Sequence, residues 1–380
     1  MEINKFLLLS LLLALILGVA ESFDYHEKEL ESEEGLKGMY DRWRSHHKVQ
    51  QKSQERFNVF KYNVQHVHKT NKMNMPYKLE LNKFADLTAH EMKIKYADSK
   101  IGHFMALQGP MKNNLTSFKY KDATNLPPKI DWRERNVVTP VKSQGQCGSC
   151  WAFSAVSAVE SINAIKTGQL IELSEQQLVD CDSASAGCDG GLMEPAFKFI
   201  VEHGGLATEE SYPYTEKHNP CDKSKFGHHS VTLSGQEYTD GTEEQLMKAV
   251  AHQPVSIAME TTENFFMYKE GIYTGPCGIN NNHAMTIVGY DECPEGKYWI
   301  VKNSWGEGWG EKGYVRFQRG IAQPEGLCGI NRGAAIPHKD GDTPNADICP
   351  QAQTPEHKPV QANNPSEGLP KIDIRRSKEF

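Results

Sequence analysis

The sequence has no excess of positive charge: 42 Lys and Arg stand against 49 Asp and Glu in 380 residues, a formal net charge of -7. A surface that neutralises phosphates needs the opposite balance, so no nucleic-acid partner is expected. No apolar run reaches the roughly 20 residues of a spanning helix, and the longest, Phe6 to Ala20, is about 15 residues long and interrupted by Ser10. No membrane partner is therefore expected. Internal repeats are absent, and residues 21–125 contain no cysteine. From Lys339 onward large apolar residues are few and six prolines accumulate. Such a tail cannot bury enough surface to offset its ordering entropy, so residues 339–380 read as a disordered C-terminal extension.

What remains is ordinary globular material, with 38 % hydrophobic, 9 % aromatic and 24 % charged residues, enough for one or two domains. Glu2 and Lys5 precede the short apolar run, which ends Gly18-Val19-Ala20. A polar start, a short apolar stretch and small residues at its end describe a secretory signal spanning 1–20, the competing reading being a buried core helix. Export would place the mature chain where disulfides persist. Nine cysteines are present, and an odd number leaves at least one thiol without an intramolecular disulfide partner.

Residues 21–125 are rich in Lys, His and Glu, with Arg56, Val59, Phe60, Asn63 and Val67 at helical steps. The Pro127-Pro128 pair marks a boundary, after which eight of the nine cysteines fall before residue 330. Within this unit the first half, 126–236, reads helical and the second, 237–338, reads as strands. Cys150 to Lys166 carries Val156, Val159, Ile162 and Ile165 at helical spacing and stops before Gly168. Ser174-Glu175-Gln176-Gln177 and Thr242-Glu243-Glu244-Gln245 fit the capping box that opens a helix, and Met193 to His203 runs helically into Gly204. Val255–Met259, Ala284–Tyr290, Tyr298–Lys302 and Gly313–Phe317 are short β-prone runs. The expected class is α+β, with a cleft between a helical and a sheet half.

Gln144-Gly145-Gln146-Cys147-Gly148-Ser149-Cys150-Trp151 puts a thiol at the start of the first of those helices. The positive end of the helix dipole favours a thiolate, so Cys150 is expected to ionise near neutrality. A buried structural thiol, half of a disulfide, or a zinc ligand shared with Cys147, Cys181 and Cys188 are the competing readings. His283 stands before one apolar strand and Asn303 follows the next. If the two strands pair across the Asp291–Gly296 loop, imidazole and amide become neighbours. An imidazole can take the thiol proton and return it to a leaving amine, while an amide oxygen fixes its tautomer: the triad logic in Cys-His-Asn form. His46, His47, His228 and His229 carry no such context and read as surface or core residues.

With these residues in place the chain resembles the papain family of cysteine endopeptidases, and within it the plant vignain type. Asp131-Trp132, Gln144 to Phe153, Leu173-Ser174-Glu175-Gln176, Gly187-Cys188-Asp189-Gly190-Gly191, Gln253-Pro254-Val255 and Trp299 to Gly306 carry the match over residues 36–337. The family places its His and Asn roughly 130 to 150 residues after the thiol. By subtraction His283 and Asn303 lie 133 and 153 residues after Cys150.

The resemblance implies a papain-like two-domain fold, with a helical domain, an antiparallel barrel-like β domain and a helical N-terminal propeptide over 21–125. Cys150 would be the nucleophile, His283 the acid/base, Asn303 the orienting amide, and Gln144 an oxyanion donor with the Cys150 N–H. Outside the family Gln144 would be an ordinary loop residue and Trp305, taken as the cover over the His–Asn bond, plain core. The implied disulfides are Cys147–Cys188, Cys181–Cys221 and Cys277–Cys328, leaving Cys150, Cys293 and Cys349. The pocket for the side chain before the scissile residue would be lined by Leu192, Met193, Ala258, Ala284 and Gly333. None can pair with a buried cation, so bulky apolar residues are expected there. Gly190 and Gly191 would let substrate backbone approach as an added strand.

Arg56, Phe60, Asn63, Val67 and Asn71, then Asn82, Phe84 and Asp86, follow the two propeptide motifs of the family, with Lys52 and Glu80 as departures from them. The propeptide would act as an intramolecular inhibitor, released when acid loosens carboxylate contacts and cleavage occurs near Leu126. Asn114-Leu115-Thr116 is a glycosylation sequon. Expected partners are protein and peptide substrates and, by analogy, cystatin-like inhibitors, with the enzyme a monomer needing neither metal nor organic cofactor. The chain ends Ser377-Lys378-Glu379-Phe380 where vignain-type enzymes commonly carry Lys-Asp-Glu-Leu, leaving a vacuole, a lysosome-like compartment or secretion as destinations. A catalytically inactive storage or binding relative and a zinc-stabilised interaction module are the alternatives, from other functional classes.

Overall fold

The computed structural model describes residues 23–97, 99–108, 118–226 and 231–341. Residues 1–20, expected as a secretory signal, Asn114, His228, His229, Cys349 and the expected C-terminal extension from 342 lie outside the described residues.

The N-terminal part folds around two helices, α1 (Glu33–His46) and α2 (Gln54–Lys72), each opened by a serine whose side chain accepts a first-turn amide: Ser32 from Gly35 and Ser53 from Arg56. Their apolar faces bury Tyr40, Trp43, Phe57, Phe60, Val64 and Val67, at about 1.5–3 kcal/mol for each large side chain removed from water. The motif residues tie this core to the chain beyond it. Asn63 Nδ2 donates to the carbonyls of Ala85 and Leu87, and Asn71 donates through Nδ2 to Leu79 O and accepts through Oδ1 from Leu79 N–H. Arg56 pairs with Glu91 at 2.6 Å. Lys52, one of the departures, pairs with Asp41 on the surface at 2.8 Å.

The central unit is built on α4 (Cys150–Thr167), preceded by the short α3 (Ile101–Gln108) and followed by α5 (Glu175–Cys181), α6 (Met193–Glu202) and α7 (Glu243–Val250). Helix α4 ends at Gly168 in the left-handed conformation, φ 72°, where glycine carries no Cβ penalty. The periodicity predicts one buried face, but every residue from Cys150 to Ile165 is buried, because helices cover one side of α4 and the sheet the other. The two capping signals each form only their first half. Ser174 and Thr242 accept from the amides of Gln177 and Gln245, but Gln177 Oε1 turns to Ala207 N–H and Gln245 Oε1 to Asp240 N–H.

Nine strands form one sheet: β1 (Tyr77–Leu79), β2 (Ile130–Asp131), β3 (Gly235–Tyr238), β4 (Val255–Met259), β5 (Tyr268–Tyr273), β6 (His283–Cys293), β7 (Gly296–Lys302), β8 (Tyr314–Gln318) and β9 (Ala335–His338). Their order is β1-β5-β8-β7-β6-β4-β9-β3, with β2 beside β6. All pairs are antiparallel except β5–β8. Three details depart from the sequence expectation. The expected boundary at 236/237 cuts through β3, which pairs with β9, and β2 carries residues of the nominally helical half onto the sheet. The β6–β7 turn is tighter than an Asp291–Gly296 loop, since Cys293 already pairs with Gly296. The propeptide is not wholly helical: β1 lies on β5, with Tyr77 opposite Gly271, and adds an edge strand to the sheet.

Disulfides join Cys147 to Cys188, Cys181 to Cys221 and Cys277 to Cys328 across 40 to 51 residues, each worth about 3–4 kcal/mol by loop-closure entropy. Cys150 and Cys293 are free thiols, and no cluster of metal-ligating side chains occurs among the described residues. With Cys147 bonded to Cys188, a shared zinc site with Cys150 is not formed.

Candidate active site

Three elements converge on Cys150. The cysteine is the first residue of α4, its Sγ accepting the Ala284 N–H at 3.3 Å. Ala284 and His283 open β6, held in register by β4, where Met259 faces His283 and Ala258 faces Ala284. Asn303 comes directly after β7, and the β6–β7 pairing of Thr286 with Lys302 brings it beside His283.

His283 Nε2 lies 2.8 Å from Asn303 Oδ1. The Ser304 N–H points at that same Oδ1 at 2.8 Å, which identifies it as the oxygen of the amide. Nε2 must then carry the proton, leaving Nδ1 with a lone pair and, in this state, no hydrogen-bond partner. Trp305 lies across the imidazole at 4.7 Å between ring centres and 30° between planes, and is itself 1 % exposed. Water is thereby kept off the His–Asn hydrogen bond.

Gln144 accepts from Ser304 Oγ through Oε1 at 2.7 Å, which directs its Nε2 the other way, to Cys147 O at 2.9 Å and Tyr96 O at 3.3 Å. Beneath Asn303 lies a buried ion network that no sequence signal distinguished from solvated charges. Lys302 Nζ donates to Thr139 Oγ1, Thr139 to Glu160 Oε2, and Lys142 bridges Glu160 and Glu175. Burial pushes Lys302 down to about 8, and burial, with Glu160 alongside, pushes Glu175 up to about 8. Removing a single member of such a set costs about 3–5 kcal/mol.

Residues 99–105 run along the cleft. Ser99 Oγ donates to Asn282 O at 3.1 Å and Gly102 N–H to Asn281 O at 2.8 Å. Ile101 is fully buried in one cluster with Cys150, Leu192, Met193, Ala258 and Ala284. A β-carbon on Gly190, whose φ is 117°, would fall 1.7 Å from Ser99 O, so glycine is required for backbone to approach there. At Gly191 the missing β-carbon makes room for Ser185 Oγ and the Trp151 ring. The pocket residues Leu192, Met193, Ala258 and Gly333 line a cavity of about 840 Å³ together with Met105, whose Cε lies 3.6 Å from where a Gly333 β-carbon would stand.

This occupancy reverses the expected state of the thiol. Burial pushes Cys150 up to about 11, against the pull of the Ser99 hydroxyl and the Ala284, Trp151 and Cys150 amides. Burial likewise holds His283 down at about 4. With the propeptide in place both partners are neutral at pH 7, because desolvation outweighs the helix terminus.

Residues 126–338 match the family described as papain family cysteine protease, and residues 40–92 the cathepsin propeptide inhibitor domain (I29). The chain belongs to the papain family of cysteine proteases. The chain is 54 % identical over 352 residues to the cysteine protease Amb a 11.0101 of Ambrosia artemisiifolia, covering 90 % of this chain and 91 % of that one. It is 53 % identical over 343 residues to vignain of Ricinus communis, covering 88 % and 95 %. A crystal structure of the Amb a 11 protease in its proform superposes with a TM-score of 0.81, covering 84 % of this chain and 99 % of that one at 54 % identity. The protein is thus the proform of a papain-like cysteine endopeptidase, carrying its own propeptide as intramolecular inhibitor.

Proposed function

We propose that this endopeptidase is made as a secretory-pathway zymogen, acts as a monomer, and hydrolyses peptide bonds through a thioester on Cys150. Supporting the assignment most directly is the joint placement of His283 Nε2 on Asn303 and of the Ala284 N–H on Cys150 Sγ. His283 Nδ1, free of any other partner, takes the thiol proton once the propeptide leaves. The thiolate attacks the scissile carbonyl, and the oxyanion is met by the Cys150 N–H and Gln144 Nε2. His283 returns the proton to the leaving amine, and a water activated by the same imidazole hydrolyses the thioester. Asn303 keeps Nε2 protonated and so keeps Nδ1 available. Cystatin-like inhibitors would enter the same cleft, and a vacuolar, lysosome-like or extracellular destination follows from the signal.

Two outcomes test the details. Gln144→Ala is expected to lower kcat by about 10² to 10³, the usual loss of one oxyanion donor, with KM little changed; an unaltered kcat removes Gln144 from the role. Burial of Ile101 against Leu192, Met193, Ala258 and Ala284 supports an apolar preference at the residue before the scissile one. Dipeptidyl reporters with Leu or Phe there should be cleaved at least about tenfold faster than those with Arg, whose cation would be buried without a partner. Equal rates would overturn the pocket assignment.

A further inference from the structure

The propeptide crosses the cleft in one continuous direction, and its contacts give the cleft a polarity. Lys83 Nζ donates to Trp305 O at 2.9 Å. Next, Tyr96 O accepts from both Gln144 Nε2 and Trp305 Nε1. Ser99 then reaches Gly190 and the thiol, and Met105 reaches Gly333. Cys150 lies between the two ends. If Leu192 to Gly333 receive the acyl side of a substrate, as proposed above, the Trp305 end receives the residues after the scissile bond.

We infer that this leaving-group end is a subsite for a cationic side chain, formed by the Trp305 carbonyl and the Glu216 carboxylate. In the zymogen it is already occupied by an ammonium. Lys83 Nζ sits 4.0 Å from the position of a Gly306 β-carbon and 5.0 Å above the Phe84 ring. Burial works against its charge, and the carboxylate of Glu216 works through space to restore it. The Glu216 backbone holds a left-handed φ of 59°, a conformation uncommon for a residue other than glycine. Its carboxyl carbon lies 2.2 Å from where a Gly145 β-carbon would be. Only glycine beside Gln144 admits it, so the carboxylate rests on the loop that carries the oxyanion donor. Departure of the propeptide takes away the donor on Trp305 O and the cation that Glu216 supports through space together. A lysine or arginine of a substrate replaces both at once, whereas an acidic residue is repelled.

The inference rests on the active-site assignment, and the experiment separates the two. Internally quenched peptides share Leu at the acyl-side position and carry Lys, Ala or Glu at each of the first three positions after the scissile bond. For the activated enzyme at low salt, kcat/KM at one of these positions should favour Lys over Glu by about fivefold, as expected for one exposed carboxylate, and the ratio should shrink as salt is raised. Glu216→Gln should bring the ratio close to one and Glu216→Lys should invert it. Rates within twofold for all three peptides in the wild type, or a ratio unmoved by both substitutions, overturn the inference. Cleavage of the Lys peptide by the Cys150→Ala protein would locate the failure in the active-site assignment instead.

Discussion

Replacing Cys150 with alanine is expected to lower kcat/KM of the activated enzyme by about four orders of magnitude or more, because no other group can form the acyl intermediate. The other described thiol cannot substitute. Cys293 sits at the tip of the β6–β7 hairpin opposite Gly296, and the remaining described cysteines are bonded in pairs. Cys293→Ala should leave peptide hydrolysis unchanged. A Cys150→Ala enzyme that still turned over peptides, with folding verified by circular dichroism, would show the nucleophile to lie elsewhere.

The second large effect concerns latency. Beyond blocking the cleft, the propeptide lays Ser99 and Ile101 against Cys150, and burial holds the thiol and His283 in their uncharged, unreactive forms. A thiol with its pKa at about 11 is ionised in only about one molecule in 10⁴ at pH 7. Alkylation of Cys150 by iodoacetamide at pH 7 should therefore be at least about 10³-fold slower in the zymogen than in the activated enzyme. Comparable rates in both forms would contradict the desolvation account.

The same burial sets the direction of the pH response. His283, held at about 4 against an ordinary 6.5, is neutral in the closed state. Protonation therefore favours opening. In the Cys150→Ala zymogen, where no thiol proton moves to His283 on opening, closure is unpenalised above 6.5 and loses up to about 3 kcal/mol as pH falls through 6.5 towards 4. The carboxylate contacts behave otherwise. Arg56, aided by Thr88, depresses Glu91 to about 2, so its contribution to propeptide folding is complete above 4.5 and is lost progressively as pH falls from there towards 2. Burial raises Asp86, so mild acid relieves a cost there rather than breaking a contact. Opening of the Cys150→Ala zymogen, followed by cutting with an added protease, should thus rise between pH 6.5 and 4. A transition confined below pH 4.5 would assign the trigger to Glu91.

Much of this architecture is legible in the residues, for identifiable reasons. Strand β4 occupies Val255–Met259 as the apolar run indicates, and α4 begins at Cys150 and stops at a left-handed Gly168, because apolar periodicity and terminators are local signals. The strands β1 and β5 were not legible. Three residues carry no period, and Lys269-Glu270-Gly271 interrupts β5, whose ladder exists only because β1 and β8 flank it. The second halves of the two capping boxes failed because Gln177 and Gln245 found tertiary partners. Lys142, Glu160, Glu175 and Lys302 look like any solvated charges until the fold buries them together. The charge state of the thiol in the closed form is not legible for the same reason: a helix terminus is visible in sequence, while Ser99, which lies against the buried thiol, arrives from about 50 residues upstream.

The central claim is that a single buried thiol, masked by the propeptide and freed by acid, performs the chemistry. Its most direct test is acid activation of the precursor, titration with a thiol-directed epoxide, and mass mapping of the modified residue. The account predicts one equivalent on Cys150, with peptidase activity lost in proportion and no labelling before activation. Modification confined to Cys293 with activity abolished, or full inhibition with Cys150 unmodified, would contradict it.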